Sequence, residues 1–446
     1  MQRPLGRSDA LFLTSLALMV VIPDGSALGL LVFGLWGMYK AFRGKGTGFR
    51  AFLAFGLAEP QPRALGLVLV LFVLGNSLLL AHHAASSSEY EQLLPFILLP
   101  FAVWLLVLKP VSLRVFFLGV AIAAISSGLF ALVQVLWFDM PHQSRASGWM
   151  ANPIHFGHLC VLLAAYCLVG LLGAWGRGAE RNLVLMLLGF GFALLGAVLS
   201  GSKSSWLAFA FFLVYLGLVG LRSGQIRSAL LLKLAVLVAL LFWAFLALSP
   251  SSQRLETFQQ SASTLATALF KADTPLNLDA LALDPSVNDR LAQYQMSAEL
   301  IAQNPWLGIS RPAINLEQEN RVASAAPGFK RVYRHIHSEY LDTLVNRGLL
   351  GFALLALMFL ALFWAMRKPV EPDMPAPNPS SQARLLGIST LLLLASMALF
   401  DILLSRVSVM APGLFVLAYC LALLYRPAPT PRGAIHTGSK TPVGRW

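Results

Sequence analysis

Residues 112–137 read SLRVFFLGVAIAAISSGLFALVQVLW, and Arg114 is the only charged side chain among them. A helix of this length exceeds the roughly 30 Å thickness of the hydrocarbon core of a bilayer. Similar apolar runs recur along the 446 residues, of which 57% are hydrophobic and only 12% are charged. A soluble domain needs a more charged exterior than this composition supplies. The sequence therefore predicts an all-α, polytopic integral membrane protein.

The apolar runs predict about twelve transmembrane helices. They lie near residues 10–22, 25–42, 64–82, 93–108, 112–137, 155–175, 182–200, 204–221, 228–249, 348–366, 385–404 and 409–425. The first run is short and follows two arginines, as in a signal peptide, but an uncleaved first span is expected because no clean cleavage site follows. Residues 1–249 thus carry nine helices and residues 348–425 carry three, while residues 426–446 are predicted to be a disordered cytoplasmic tail.

One large polar loop, residues 250–347, separates the two groups of predicted spans. Within it, an amphipathic helix is expected to begin at Asn288 and to stop at Asn304-Pro305. Residues 306–334 are expected to be irregular and basic. The loop is predicted to contain the catalytic motifs because it holds most of the polar side chains outside the spans.

The distribution of positive charge predicts the orientation of the chain. Most of the 33 Lys and Arg residues fall in short connections that face the cytoplasm if the N-terminus is inside. This orientation places the large loop on the periplasmic side. The net charge of +13 then reflects topology and attraction to anionic membrane lipids. No nucleic-acid binding is predicted, because the charges are scattered among inner connections.

The sequence HIHSEYL at residues 335–341 ends the loop and contains the first candidate for catalysis. Ser338 is expected to be the N-cap of a helix with its end signal at Gly348. His337 then lies at the positive end of a helix dipole, which favours a bound anion and a neutral imidazole. Such a ring suits a general base that activates a hydroxyl group. The spacing alone also fits a histidine hydrogen-bonded at the membrane boundary, and His335 is expected to be an orienting or structural partner.

Several cations lie at the predicted outer ends of the spans. They are Arg145, Lys203, Arg290, Arg311 and Arg406. A cation in a short turn between apolar helices is costly, so convergence of such side chains would indicate a clamp for a diphosphate. Each of them could instead extend its charge toward lipid headgroups.

No metal site or cofactor is predicted. His155 and His158 are three residues apart at the start of a span, but no third ligand stands at a recognisable spacing. Cys160 and Cys167 lie on one face of a predicted span, where packing explains them better than a disulfide or a thiolate site. Neither a glycine-rich phosphate loop nor a nucleophile elbow is present.

Four stretches resemble the bacterial O-antigen ligase family and, more broadly, the membrane domain shared by ligases and polymerases. They are RASGWMANP at 145–153, SGSKSSWLA at 200–208, the span from Arg290-Leu291 to NPWLG at 304–308, and HIHSEYL at 335–341 followed by GLLG at 348–351. With the surrounding topology, the resemblance covers roughly residues 120–365. Lys203 stands where arginine is common, and Ser338-Glu339 replaces the frequent Asn-Asp.

The resemblance implies a glycosyltransferase of the bacterial inner membrane with a periplasmic active site. Its donor would be a glycan on undecaprenyl diphosphate, its acceptor a hydroxyl of lipid A–core oligosaccharide, and it would need no nucleotide or metal. In that scheme His337 is the base, and Arg290 and Lys203 bind the diphosphate. Arg145, Arg311, His335, Glu339 and Arg406 are the further predicted substrate-binding residues.

Two other functions remain open at this stage. A glycan polymerase, or a ligase that attaches glycan to protein, would use the same donor and differ in its acceptor. A transporter of lipid-linked glycan is disfavoured because transporters place ionisable groups near the middle of the membrane, whereas these charges lie at predicted helix ends.

Overall fold

The computed structural model describes residues 6–22, 25–43, 47–137, 145–150, 152–175, 180–223, 285–324, 326, 329, 332–333, 335–368, 379–404 and 406–426. Over these residues the chain forms α-helices and no β-strand, which confirms the predicted fold class. The helices are α1 (Arg7–Val21), α2 (Leu28–Arg43), α3 (Thr47–Leu57), α4 (Pro60–His82), α5 (Ser87–Glu91), α6 (Leu94–Leu108), α7 (Leu113–Trp137), α8 (Pro153–Trp175), α9 (Glu180–Ser200), α10 (Lys203–Ser223), α11 (Pro285–Gln303), α12 (Arg311–Ala323), α13 (Glu339–Met366), α14 (Pro379–Ala398) and α15 (Val407–Leu424).

In the described ranges, ten helical segments are long and apolar enough to cross a membrane. Each of them corresponds to one of the predicted spans. Helix α1 matches the first predicted span but has only 15 residues, fewer than the roughly 17–25 that cross a bilayer. The predicted span at 228–249, the first part of the predicted loop and the predicted tail from residue 427 onward lie outside the described residues.

Helix α8 lies in the centre of the bundle, since 94% of its spanning window is buried. It packs against α7, α9, α10, α14 and α15. Cys160 and Cys167 are buried and lie against Gly196 and Gly189 of α9, where a Cβ would come within 2.8 and 2.9 Å of the two sulfurs. Small residues at these positions let the two helix backbones approach closely. The packing role predicted for the cysteines agrees with this arrangement.

The loop helices differ from the prediction in two respects. Helix α11 begins at Pro285 instead of Asn288, although it stops before Asn304-Pro305 as expected. The expectation of irregular structure at residues 306–334 was wrong, because α12 occupies Arg311–Ala323. Its buried face holds Ile314 and Gln318, so one of its two buried residues is polar and the apolar periodicity is weak. Pro312 in its first turn is a helix-start signal that could have predicted this helix.

Helix α13 begins after Ser338, as predicted, although the Ser338 side chain makes no capping hydrogen bond. Gly348 has φ 61° and ψ −165°, so the helical backbone is broken there and then resumes to Met366. The predicted boundary between the large loop and the last three spans therefore falls at a kink within one helix.

Candidate functional site

Two histidines and one aspartate meet where α13 begins. The ring nitrogens of His335 and His337 and a carboxylate oxygen of Asp401 all lie within 4.8 Å of one another. The two imidazole rings are edge to face, with centroids 4.7 Å apart. Both rings are half-buried, whereas Asp401 is only 2% exposed. Among the described residues these three side chains form a group that could hold a metal ion.

Asp401 comes from the connection between α14 and α15. Its Oδ1 accepts a hydrogen bond from the backbone N–H of Ile402 at 2.9 Å, and its Oδ2 lies 3.5 Å from Nε2 of His155 at the start of α8. Burial raises the pKa of this carboxyl, but the contact with His155, the nearby His158 ring and the Ile402 N–H together lower it below its ordinary value. The carboxylate form is therefore favoured. Sequence reasoning missed Asp401, although an acid at the end of an apolar run is itself a functional signal.

A chain of buried hydroxyl groups extends from His158. Its Nε2 lies 3.1 Å from Oγ of Ser204, which in turn lies 3.2 Å from Oγ of Ser202. Ser205 donates to the same Ser202 oxygen at 2.7 Å. Lys203 stands between these serines as the first residue of α10, and its side chain is exposed. The structure therefore brings the turn that carries Lys203 against the start of α8.

Helix α11 fixes the backbone of His337 from two sides. The His337 N–H donates to Oε1 of Gln293 at 3.3 Å, and the Tyr294 hydroxyl donates to the His337 carbonyl at 3.0 Å. Burial raises the pKa of Tyr294, while the charge of Arg290 lowers it. Arg290 is one turn earlier on the same helix, and it is close enough to interact electrostatically with His158 as well. Arg290 therefore lies near two residues that adjoin the cluster, Tyr294 and His158, and its predicted contact with the donor stays a prediction.

Tyr333 packs against the His337 side of this cluster. Its ring lies edge to face with the His337 ring, with centroids 5.2 Å apart. Its hydroxyl donates to Oδ2 of Asp289 in the first turns of α11, and its N–H donates to Oε1 of Gln318 at 2.7 Å. The tyrosine therefore links α11 and α12 to the His337 ring. No sequence motif pointed to it, because its partners are distant in the chain.

Arg406 is the N-cap residue of α15 and is half-buried. Burial lowers the pKa of His335, and the charge of Arg406 lowers it further, while Asp401 and Asp342 raise it. The net effect favours a neutral His335 ring. Arg406 therefore lies within electrostatic range of His335, and its predicted contact with substrate stays a prediction.

The side chains of Arg311 and Glu339 bind other groups of the protein around the cluster. Both terminal nitrogens of Arg311 bind the carboxylate of Asp342 at 2.6 Å, and this pair holds the pKa of Arg311 above its ordinary value despite burial. Glu339 is buried, and its Oε2 accepts the backbone N–H groups of Leu403 and Leu404 at 2.8 and 2.9 Å. These contacts give both residues a positioning role, and their predicted contact with substrate stays a prediction.

Arg145 lies at the C-terminal end of α9. Its Nε donates to the carbonyl of Ser200 at 2.7 Å, and the N–H of the following Ala146 donates to Leu199 at 2.8 Å. A cation near the last carbonyls of a helix is favoured by the helix dipole. Arg145 therefore anchors its segment against the turn that leads to Lys203.

These features define a polytopic membrane protein with a histidine, aspartate and arginine site where several helices begin or end. Residues 188–356 match the family model described as O-antigen ligase. The match confirms the predicted resemblance over that segment, which contains Lys203, Arg290 and His337. It supports a function of the ligase or polymerase type with a lipid-linked glycan. No curated protein matches the chain.

Proposed function

We propose that this protein is an O-antigen ligase of the bacterial inner membrane. It transfers a glycan from undecaprenyl diphosphate to a hydroxyl group of lipid A–core oligosaccharide, and its site faces the periplasm. One observation supports the proposal most directly: His337 lies beside Asp401 at helix ends, and Arg290 lies within electrostatic range of Tyr294, whose hydroxyl donates to the His337 carbonyl. Such a position is accessible to a donor whose carrier remains in lipid and whose glycan remains in water.

The proposed reaction is a single displacement at the anomeric carbon. His337 takes the proton of the acceptor hydroxyl, whose oxygen then attacks that carbon. The bond from the carbon to the diphosphate oxygen breaks, and undecaprenyl diphosphate leaves with its negative charge stabilised by Arg290 and Lys203. Attack opposite the leaving group inverts the anomeric configuration. The reaction needs no metal ion.

The remaining predicted residues have supporting roles in this proposal. His335 and Arg406 adjoin the base, and they bind the donor together with Arg145. Arg311 acts through Asp342, which also accepts the Ile336 N–H at 3.0 Å. Glu339 acts through the connection that carries Asp401, since its N–H donates to the Asp401 carbonyl at 3.1 Å.

The test is His337→Ala in the purified full chain, assayed with lipid-linked glycan and lipid A–core. Loss of a general base predicts a decrease in transfer of about 100- to 10,000-fold, with donor binding retained. The matched control is His82→Ala, an exposed histidine at the end of α4, which should leave transfer unchanged. Transfer by His337→Ala at the wild-type rate would contradict the assignment of the base.

The same assay distinguishes the related activities. A polymerase would extend the glycan on a second lipid-linked glycan, and a protein ligase would require a polypeptide acceptor. Transport of the donor across vesicle membranes without any covalent product would contradict a transferase altogether.

A further inference from the structure

We propose that His335, His337 and Asp401 bind a divalent ion of the zinc class, and that the bound ion inhibits glycan transfer. The inhibition rests on the proposed function, because it requires His337 to be the base. The binding itself rests on the geometry of the three side chains alone.

The three side chains supply the donor atoms that zinc prefers. Zinc binds imidazole nitrogen and carboxylate oxygen at about 2.0–2.2 Å, in a tetrahedral arrangement. Two such ligands are separated by about 3.4 Å, and the ligand atoms of this cluster already lie within 4.8 Å of one another. Small rotations of the two half-buried rings would close the remaining gap. Nε2 of His155 lies 3.5 Å from the Asp401 carboxylate but is not a member of this group of three ligands.

The surroundings of the Asp401 carboxylate favour a bound cation. Asp401 is almost fully buried, yet its Oδ2 has no hydrogen bond of ordinary length, and Nε2 of His155 lies 3.5 Å from it. A buried carboxylate oxygen without a hydrogen bond is costly, and a metal ion would satisfy it. The hydrogen bond from Ile402 to Oδ1 holds the group in place, as supporting contacts do in metal sites.

The chemistry of the ligands selects the kind of ion. Two imidazoles and one carboxylate suit Zn²⁺, Co²⁺ or Cu²⁺, whereas Mg²⁺ and Ca²⁺ prefer oxygen ligands. Arg406 is close enough to interact electrostatically with His335, and Arg290 interacts with His158, whose charge in turn affects Asp401. Their positive charges oppose a divalent ion. We therefore infer a reversibly bound inhibitor in place of a permanent structural metal.

Inhibition follows from competition for one nitrogen. A lone pair of His337 that binds the ion is not available to take the proton of the acceptor hydroxyl. The ion would also occupy the space beside His335 that the proposed reaction needs.

Binding is tested with the purified full chain after removal of any histidine tag. Co²⁺ is added and its visible absorption is followed, and Zn²⁺ should displace it at one ion per chain. His335→Ala and Asp401→Asn should each abolish the spectrum, whereas His82→Ala should retain it. A wild-type protein without the spectrum, or a His335→Ala protein with an unchanged one, would overturn the site. Thermal unfolding of each variant in detergent establishes that it is folded.

Inhibition is tested in the transfer assay. Zn²⁺ should abolish wild-type transfer, and a chelator should restore it fully. Whatever transfer remains in His335→Ala should be insensitive to Zn²⁺. Wild-type transfer unaffected by Zn²⁺, or transfer that is lost on chelation, would overturn the inhibitory role. A protein that binds Co²⁺ but transfers nothing after chelation would instead contradict the proposed function and leave the metal site standing.

Discussion

The carboxylate of Asp342 receives three hydrogen bonds, two from Arg311 at 2.6 Å and one from the Ile336 N–H at 3.0 Å. Ile336 lies between His335 and His337 in the chain. The Asp342 carboxylate therefore holds in place the backbone that carries both imidazole rings. Asp342 is buried and Arg311 is partly so. Breaking a buried pair by removing one partner leaves an uncompensated charge. Changing both partners removes this charge. The double variant therefore shows whether Arg311 binds substrate in addition to its structural role.

Arg311→Ala should destabilise the protein by about 3–5 kcal/mol and should reduce transfer because residues 335–337 lose their support. Arg311→Ala combined with Asp342→Asn removes the unpaired charge and should recover most of the thermal stability and part of the transfer activity. Both quantities are measured in detergent against Asp342→Asn alone. A double variant that is stable but as inactive as Arg311→Ala would show that Arg311 contacts substrate.

At the scale of elements, the segment after α11 and the kink in α13 fit together through their backbones. Ile309 donates to the Val345 carbonyl at 2.8 Å, and Leu349 donates to the Pro305 carbonyl at 2.7 Å. Gly308 and Gly348 have φ angles of 70° and 61°. Gly308 lies against the backbone of residues 345–347, and Gly348 lies against the backbone of Trp306 and Leu307. The NPWLG and GLLG motifs therefore form one contact between the two segments.

Gly348→Ala should therefore weaken the attachment of α11 and α12 to α13. The new Cβ would lie 2.3 Å from the Trp306 backbone, and the φ angle is unfavourable for any other residue. The strained backbone alone should cost about 1–3 kcal/mol, measured as a lower midpoint of thermal unfolding, with reduced transfer.

The control for this substitution is Gly191→Ala on α9. A Cβ there meets nothing within 4 Å, so stability should be unchanged or slightly higher. Equal stability of the two variants would contradict the proposed docking of these segments.

At the scale of the whole molecule, the site lies at one end of the helical bundle. The end of α4 reaches it, because Nε2 of His83 is 2.9 Å from the Leu307 carbonyl. The beginning of α4 lies at the opposite end, where Glu59 binds Lys368 at 2.6 Å. Helix α5 follows α4 at the site end, and α6 returns to the other end. The orientation of these two ends relative to the membrane stays a prediction from the positive charges.

Cysteine labelling tests that orientation. Ser87→Cys at the site end should react with an impermeant maleimide from the periplasm, whereas Ser112→Cys at the opposite end should react only after permeabilisation. Both serines are exposed, and the three native cysteines are buried, so the parent protein serves as an unlabelled control. The reverse labelling pattern would place the site on the cytoplasmic side and contradict the proposed function.

The sequence by itself determined the helical class, ten of the spanning segments and the start of α13, and it selected His337 and Arg290 as candidates. These features are local, because helix length, apolar runs and helix-start and helix-end signals each depend on contiguous residues. The tertiary structure alone decided that Asp401 lies beside His337 and contacts His155, and that Arg311 and Glu339 bind other groups of the protein. Those contacts connect residues far apart in the chain, and only packing of the helices, which no local pattern encodes, brings them within reach.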